Sequence, residues 1–381
     1  MALDYLEVRN EIEKLADHAS GSAEKRQTRR EQALDLLNHY ASELDYLREK
    51  AQRANQLLPH YHVALPVNEP LNSSIPLPLE APDLTLIAAD GSQINPDRHM
   101  GTNYCLVNIG AIQMRPGSGD SPVTIIESKL YYGDEILSLP EETVSLMRDV
   151  REREVLAEMA ESVTGPVITL TDGSLELWTK GSEPAMLDEF KKRYFEALMQ
   201  LRQQGAITAG YTDRPRNALL TRLLEIAPEA IQPQDAGDHR PLKGLLDTEL
   251  LAGVIKPGER SAIFGLLTRA SRDYRGEFAL HFFYLNVSSR EGKPVLAKVD
   301  IPAWVARDPD MVNWLHAALA AQCRVIHTAS YPYVLARADE IAVVGRKDQQ
   351  KVAEMIAQAL RERGLDVDGL SSKQHSKDAA R

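Results

Sequence analysis

Residues 2–57 carry apolar side chains at helical spacing, with a break expected near Gly21. Within them Ala33, Leu37, Tyr40, Leu44, Leu47, Ala51 and Ala54 alternate steps of four and three, the heptad pattern. Such a seam predicts either a helical hairpin within the chain or a coiled-coil contact between two copies. Pro59 ends it, and Pro66, Pro70, Pro76, Pro78 and Pro82 mark an extended connector. From Leu84 the pattern changes: LTLIAA, NYCLVNIGAIQM and VTIIESKLYY are rich in β-branched and aromatic residues and predict strands. An acidic helix is expected over residues 140–162, then the strand VITLTD, a helix over 184–204 and the short apolar run AITAGY. Residues 277–287 and 295–301 read as paired strands, and 311–322 as a helix leading into a strand over 324–329. A last helix over 350–363 stops at Gly364, and the chain is polar after Ser371. A strand meander followed by alternating strands and helices predicts an α/β fold, a mixed sheet flanked by helices, with an N-terminal helical hairpin or coiled-coil extension.

Composition adds boundaries. The chain has 381 residues, 43% of them hydrophobic, enough for a substantial core. The expected division is a helical region and connector over 1–80, a main domain over 81–364 and a polar tail over 365–381. No apolar run approaches the roughly 20 residues of a membrane helix, and the N-terminus is charged from Asp4 onward, so a cytoplasmic protein without a membrane partner is expected. The two cysteines, Cys105 and Cys323, lie in apolar stretches and read as buried and reduced. A net charge of −11 argues against coating nucleic acid by bulk attraction, so any such site must be a local basic groove. Clusters such as Lys191, Lys192 and Arg193, or Arg269, Arg272 and Arg275, otherwise read as solvated helix faces. There is no Gly-x-x-x-x-Gly-Lys loop, no Gly-x-Ser-x-Gly elbow and no His-Glu-x-x-His helix.

Two apolar runs, LTLIAADGS ending at Ser92 and VITLTDGS ending at Ser174, lead into the same tripeptide. Asp-Gly is a common hairpin turn, but neither site is followed at once by an alternating return strand. The other reading is that each strand delivers a carboxylate, Asp90 and Asp172, to one site, with the glycine allowing close approach. Oxygen ligands of this kind suit Mg²⁺ or Mn²⁺, and a two-cation site asks for a further carboxylate. On the acidic helix, Glu154 lies beside the face formed by Leu146, Val150 and Ala157 and is the expected contributor, with Glu152 as the alternative. In ASYPYVLARADE, Tyr331 precedes Pro332, and Asp339 follows on what reads as a loop and a helix start.

Taken together, strand plus Asp-Gly-Ser, an Arg-x-x-Glu helix, a second strand plus Asp-Gly-Ser and the late Tyr-Pro segment resemble the NurA nuclease family over residues 84–344. The stretch LLDTELLAGVIKPGERSAIF is similar to a Pro-Gly-Glu-Arg-Ser region of its bacterial members. The resemblance implies an RNase H-like, PIWI-like core, Mn²⁺-dependent cleavage of DNA with Mg²⁺ as the alternative cation, 5′ to 3′ resection, a homodimer and a HerA-type hexameric ATPase as partner. It implies metal ligation by Asp90, Glu154 and Asp172, with Tyr331 in the place of the family's late tyrosine. The archaeal pattern has a histidine eight positions after that tyrosine, where this chain has Asp339, a harder ligand that adds negative charge. Arg214 and Arg216 are the expected phosphate contacts, and Trp178 and Tyr211 the candidate stacking residues, each with packing as the alternative. The competing functions are a catalytically inactive adaptor that binds DNA or a motor, and a nuclease acting on RNA.

Overall fold

The computed structural model describes residues 3–78, 83–96, 103–133, 136, 139–288, 294–326 and 330–365, the side chains of 17–22 excepted. The chain opens with helices α1 (Tyr5–His39) and α2 (Leu44–Leu57) and the short strand β1 (Val63–Pro66). Strands β2 (Thr85–Ile94), β3 (Tyr104–Met114) and β4 (Val123–Tyr132) follow, then α3 (Glu141–Glu161), β5 (Val167–Asp172), α4 (Pro184–Gln203) and β6 (Ile207–Thr212). Next come α5 (Leu219–Ile226), α6 (Asp247–Leu251), β7 (Phe264–Leu267), β8 (Leu280–Asn286) and β9 (Leu296–Pro302). Helices α7 (Ala303–Ala306), α8 (Pro309–Val325), α9 (Tyr333–Ala342) and α10 (Arg346–Arg361) complete it.

Two compact units result. Residues 1–78 and 212–307 form the first, and residues 79–211 and 308–381 the second. The linear division expected from sequence is thus replaced by one in which a middle segment groups with the N-terminal helices. Two further expectations are corrected here. Helix α1 runs unbroken across Gly21, since one glycine costs about 1 kcal/mol and does not stop a helix. Arg324 and Val325, expected to open a strand, are the end of α8, and residues 327–329 lie outside the described residues, as does the tail from 366.

In the first unit Asp4 starts α1 by accepting the N–H groups of Leu6 and Glu7 at 2.9 and 3.2 Å. The heptad residues Ala33, Leu37, Leu47, Ala51 and Ala54 are fully buried, and the helices that carry them pack on α5, α6 and β1. The seam is therefore core of this unit. Strands β1, β7, β8 and β9 pair antiparallel in that order. Asp247 replaces the missing cap of α5, accepting the N–H groups of Leu219, Leu220 and Thr221 at 2.7, 3.0 and 2.8 Å and the Tyr284 hydroxyl at 2.7 Å.

The second unit holds a mixed sheet in the order β4-β3-β2-β5-β6. Its first three strands form an antiparallel meander, while β2, β5 and β6 run parallel. The crossover from β5 to β6 passes through α4, the connection that parallel neighbours require. Helix α3 packs on β2 and β3 and also on α4, and α9 packs on β2 and β3. This order and these directions define the RNase H-like arrangement. Cys105 and Cys323 are both buried.

Candidate active site

The register of β2 and β5 brings the two Asp-Gly-Ser sequences together. Their parallel rungs run from Thr85↔Val167 to Ala89↔Thr171, so Asp90 and Asp172 are the next residues on the two strands, and Asp172 acts electrostatically on Asp90. Two residues far apart in sequence thereby stand close together on neighbouring strands, Asp172 at the carboxyl end of β5, the side on which open α/β sheets collect ligands.

The repeated tripeptide nevertheless does two different jobs. Strand β2 does not stop at Asp90: it runs on to Ile94, with Asp90, Gly91 and Ser92 opposite Gly110, Ile109 and Asn108 of β3. Ser92 shares the Asp90 face by strand alternation and donates its hydroxyl to the Ala342 carbonyl at 2.5 Å, joined by the Asn108 amide at 2.7 Å. Those bonds anchor the end of α9, and Gly110 leaves room for it, since a Cβ there would lie 2.5 Å from the Ala342 nitrogen. Gly91 faces the other way, where a Cβ would meet Arg148 Cγ at 2.5 Å and Glu152 Oε1 at 2.8 Å. Its absence lets α3 bring both side chains against the strand. After β5 the tripeptide is a true turn. Gly173 has φ +85, a left-handed value that favours glycine, and its N–H donates to the Tyr211 carbonyl at 2.7 Å. Gly210, whose Cβ would lie 2.5 Å from the Gly173 carbonyl oxygen, lets this turn fold over β6.

Tyr331 donates its hydroxyl to Asp172. Its ring meets that of Tyr211 edge to face at 5.6 Å, and the Tyr211 hydroxyl donates to the Ser330 carbonyl at 3.3 Å. Tyr211, a candidate stacking residue in sequence, is fully buried and props Tyr331, whereas Trp178 is exposed.

Electrostatics tie these groups into one cluster. The Asp90 carboxyl is pushed up to about 6, first by burial and then by Asp172 and Asp339, against the Gly91 N–H and Arg148. Glu152, buried in α3, is raised by burial, then by Asp149 and Asp90, with Arg148 and Arg153 opposing. Arg148 pairs with Glu152 at 3.3 Å and with Asp149 at 2.8 Å. The Tyr331 phenol is held well above its ordinary range by burial and by Asp172, Asp90 and Asp339. Asp172 and Asp339 are exposed, and Asp90 is half-buried.

Glu154, the glutamate expected here, is placed elsewhere. It takes a bidentate pair from Arg193 of α4 at 2.8 and 3.0 Å and a bond from Arg151 at 3.1 Å. Those bonds outweigh its burial and hold its carboxyl low. The structure instead brings Glu152, the sequence alternative, into the field of Asp90. The reason is geometric: α3 is packed both on the sheet and on α4, so its apolar positions do not mark a single face. Arg148 was not singled out in sequence, although its position one turn before Glu152 was the available signal. Arg214 and Arg216 belong to the first unit and are exposed, Arg214 pairing with Asp213 at 3.7 Å.

Asp90, Asp172, Glu152 and Asp339 offer only hard oxygen donors, the chemistry suited to Mg²⁺ or Mn²⁺. Among the described residues no group of three or more His, Cys, Asp or Glu side chains is arranged to hold a metal ion. An incomplete protein cage is the usual state of a site completed by water and phosphate oxygens.

A mixed sheet of this order with paired carboxylates on its adjacent parallel strands is the framework of an RNase H-like nuclease. Residues 84–344, more than half of the chain, match the NurA domain family, and the chain belongs to it. No curated protein matches the chain in sequence. Among solved structures it is similar to human ENDOV, at 14% identity and TM-score 0.34 over 81% of this chain and 98% of that one. It is also similar to Drosophila Piwi, at 11% identity and TM-score 0.30 over 70% of this chain and 30% of that one. LC9-RNase H1, a type 1 RNase H with the type 2 active-site motif, overlaps at 15% identity and TM-score 0.22 over 44% and 76% of the two chains. The chain thus spans under a third of the Piwi chain, and the fold assignment rests on strand order and direction. Among the described residues no helix is long and apolar enough to cross a membrane.

Proposed function

We propose that this nuclease is a divalent-cation-dependent deoxyribonuclease, using Mn²⁺ with Mg²⁺ as the alternative, and that Asp90, Asp172, Glu152 and Asp339 form its cation-binding set. The observation that carries the reading is the parallel pairing of β2 and β5 up to Ala89↔Thr171, which makes Asp90 and Asp172 the next residues on neighbouring strands, close enough for Asp172 to raise the Asp90 carboxyl. Crowded carboxylates that resist ionisation are stabilised when a cation supplies the missing positive charge. A cation bound there supplies Lewis-acid activation of water and stabilisation of the leaving oxygen in phosphodiester hydrolysis. Asp90 and Asp172 hold it from two rigid strands. Tyr331 keeps its proton across the working pH range, so it serves as a hydrogen-bond donor that orients the Asp172 carboxylate and not as a base. Arg148 balances the charge of Glu152 and Asp90. Arg214 and Arg216 are proposed as phosphate contacts that position the strand without reading sequence.

With a net charge of −11, the chain attracts DNA poorly over its surface as a whole. Delivery by a HerA-type hexameric ATPase is the proposed remedy, with 5′ to 3′ resection and single-strand cutting as the activities and a homodimer as the working form. The test is to incubate wild type, Asp90→Asn and Asp172→Asn with end-labelled single- and double-stranded DNA and RNA, in Mn²⁺, Mg²⁺ or chelator. Cleavage of DNA that needs a divalent cation and vanishes in both variants is expected. Preferential RNA cleavage would replace the substrate. No cleavage, even with a HerA-type partner and ATP, would make the chain a binding adaptor.

A further inference from the structure

Three strands of the second unit present one polar row to the end of α9. Ser92 of β2 pairs with Asn108 of β3, and Asn108 with Ser128 of β4, so the three side chains stand in line on one face of the sheet. They are joined in order. The Ser128 hydroxyl donates to Asn108 Oδ1 at 2.6 Å, which fixes the amide so that Nδ2 donates to the Ala342 carbonyl at 2.7 Å. The Ser92 hydroxyl donates to the same carbonyl at 2.5 Å. Asn108 is buried between Val107 and Ile109, where an amide is costly unless its bonds are made. The last carbonyls of a helix have no partners within it, and here a buried residue, Ala342, receives two donors from one row. Gly110, on the same face of β3, admits the Ala342 nitrogen, to which a Cβ would approach within 2.5 Å.

Asp339 lies three residues before Ala342 and so on the same side of α9, about 4.5 Å along its axis. Along β2, Asp90 lies two residues before Ser92, on the face that the polar row shares. The bonds to Ala342 therefore fix the rotation of α9 close to Asp339, whose carboxyl acts on both Asp90 and Tyr331. The other end of α9 is held separately: Gln322 of α8 accepts the Val334 N–H at 3.0 Å, and Tyr331 donates to Asp172. A slip of one residue turns a helix by about 100° and would carry Asp339 off this face. We propose that Asn108, oriented by Ser128 and joined by Ser92, is a positioning residue for Asp339 that holds its carboxyl beside Asp90. The inference rests on the cation-binding reading given above. Asn108 touches no reacting group and acts through Ala342.

The test is Mn²⁺ binding by the full chain without DNA, read from the electron paramagnetic resonance signal of the free ion, alongside thermal melts in chelator. Asn108→Leu nearly keeps the side-chain volume and leaves Ser92 on Ala342. It is expected to melt close to wild type in chelator but to weaken Mn²⁺ binding about tenfold or more. Ser128→Ala, at an exposed position, removes only the bond that orients the amide and is expected to weaken binding about threefold. It reads the same effect if Asn108→Leu does not fold. The decisive comparison is Asn108→Leu combined with Asp339→Asn. The pair is expected to bind no more weakly than Asp339→Asn alone, because a residue that acts through Asp339 then has nothing left to position. Losses that multiply in the pair would overturn the proposal and leave Asn108 a part of the core. So would wild-type affinity in both Asn108→Leu and Ser128→Ala. A wild type that binds no Mn²⁺ would instead remove the cation reading, and the positioning role with it.

Discussion

Asp90 shows how a single residue is made less stable so that it is ready to act. An unfolded chain titrates an aspartate near 3.9, whereas burial, Asp172 and Asp339 push Asp90 up to about 6 in the fold. The folded form therefore holds the proton more tightly. The residue's stabilising contribution is complete below about pH 4 and is lost as pH rises through 6. Asp90→Asn removes the charge at every pH. It is expected to raise stability by about 1–2 kcal/mol at pH 7.5, a value reduced for partial exposure, and by nothing at pH 4. Thermal melts at the two pH values in chelator check this, and equal melts at pH 7.5 would contradict the crowded cluster. The two glutamates of α3 make a second comparison. Glu152→Gln is expected to lower cation-dependent cleavage by about 100-fold or more while keeping stability. Glu154→Gln is expected to leave cleavage within about threefold but to cost about 1–2 kcal/mol, because it breaks the pairs to Arg193 and Arg151. Single-turnover rates and urea midpoints would expose a reversed assignment.

The elements turn one tripeptide into two structures. In β2 the glycine is a point of contact with a helix; after β5 it is a left-handed turn. Gly91→Ala forces Arg148 and Glu152 away from the strand and is expected to cost about 1–3 kcal/mol. Its cleavage rate should fall further than that of Gly173→Ala, whose Cβ meets nothing within 4 Å and whose cost is backbone strain alone. Helix α5 gives a test in the first unit. Asp247→Ala leaves three buried N–H groups and the Tyr284 hydroxyl without their acceptor, an expected loss of about 3 kcal/mol or more by urea denaturation. A change below 1 kcal/mol would mean that water replaces the carboxylate.

At the scale of the whole molecule, the proposed cation and the fold are linked. A ligand that binds the folded state alone stabilises it by about 2.7 kcal/mol at one hundred times its dissociation constant. Mn²⁺ is expected to raise the melting temperature of wild type accordingly and to leave Asp90→Asn and Asp172→Asn nearly unmoved; an equal shift in all three would place the cation elsewhere. Much of this molecule is local and was readable along the chain. The apolar runs of β2 to β6, the helices between them and the paired Asp-Gly-Ser follow from periodicity and side-chain shape, which depend on near neighbours. The same local reading could not see that β2 continues past Asp90, because only pairing with β3 holds it extended there. Nor could it orient α3: a helix covered on two sides has no single apolar face, and only the positions of Arg193 and Gly91 send Glu154 one way and Glu152 the other. The heptad seam was visible, but its partner lay in α5 and α6, far along the chain. Sequence alone determined which carboxylates follow apolar strand-forming runs, since that is a property of short segments. Tertiary structure decided which of them meet, because the meeting depends on strand register and helix packing between segments that share no local signal.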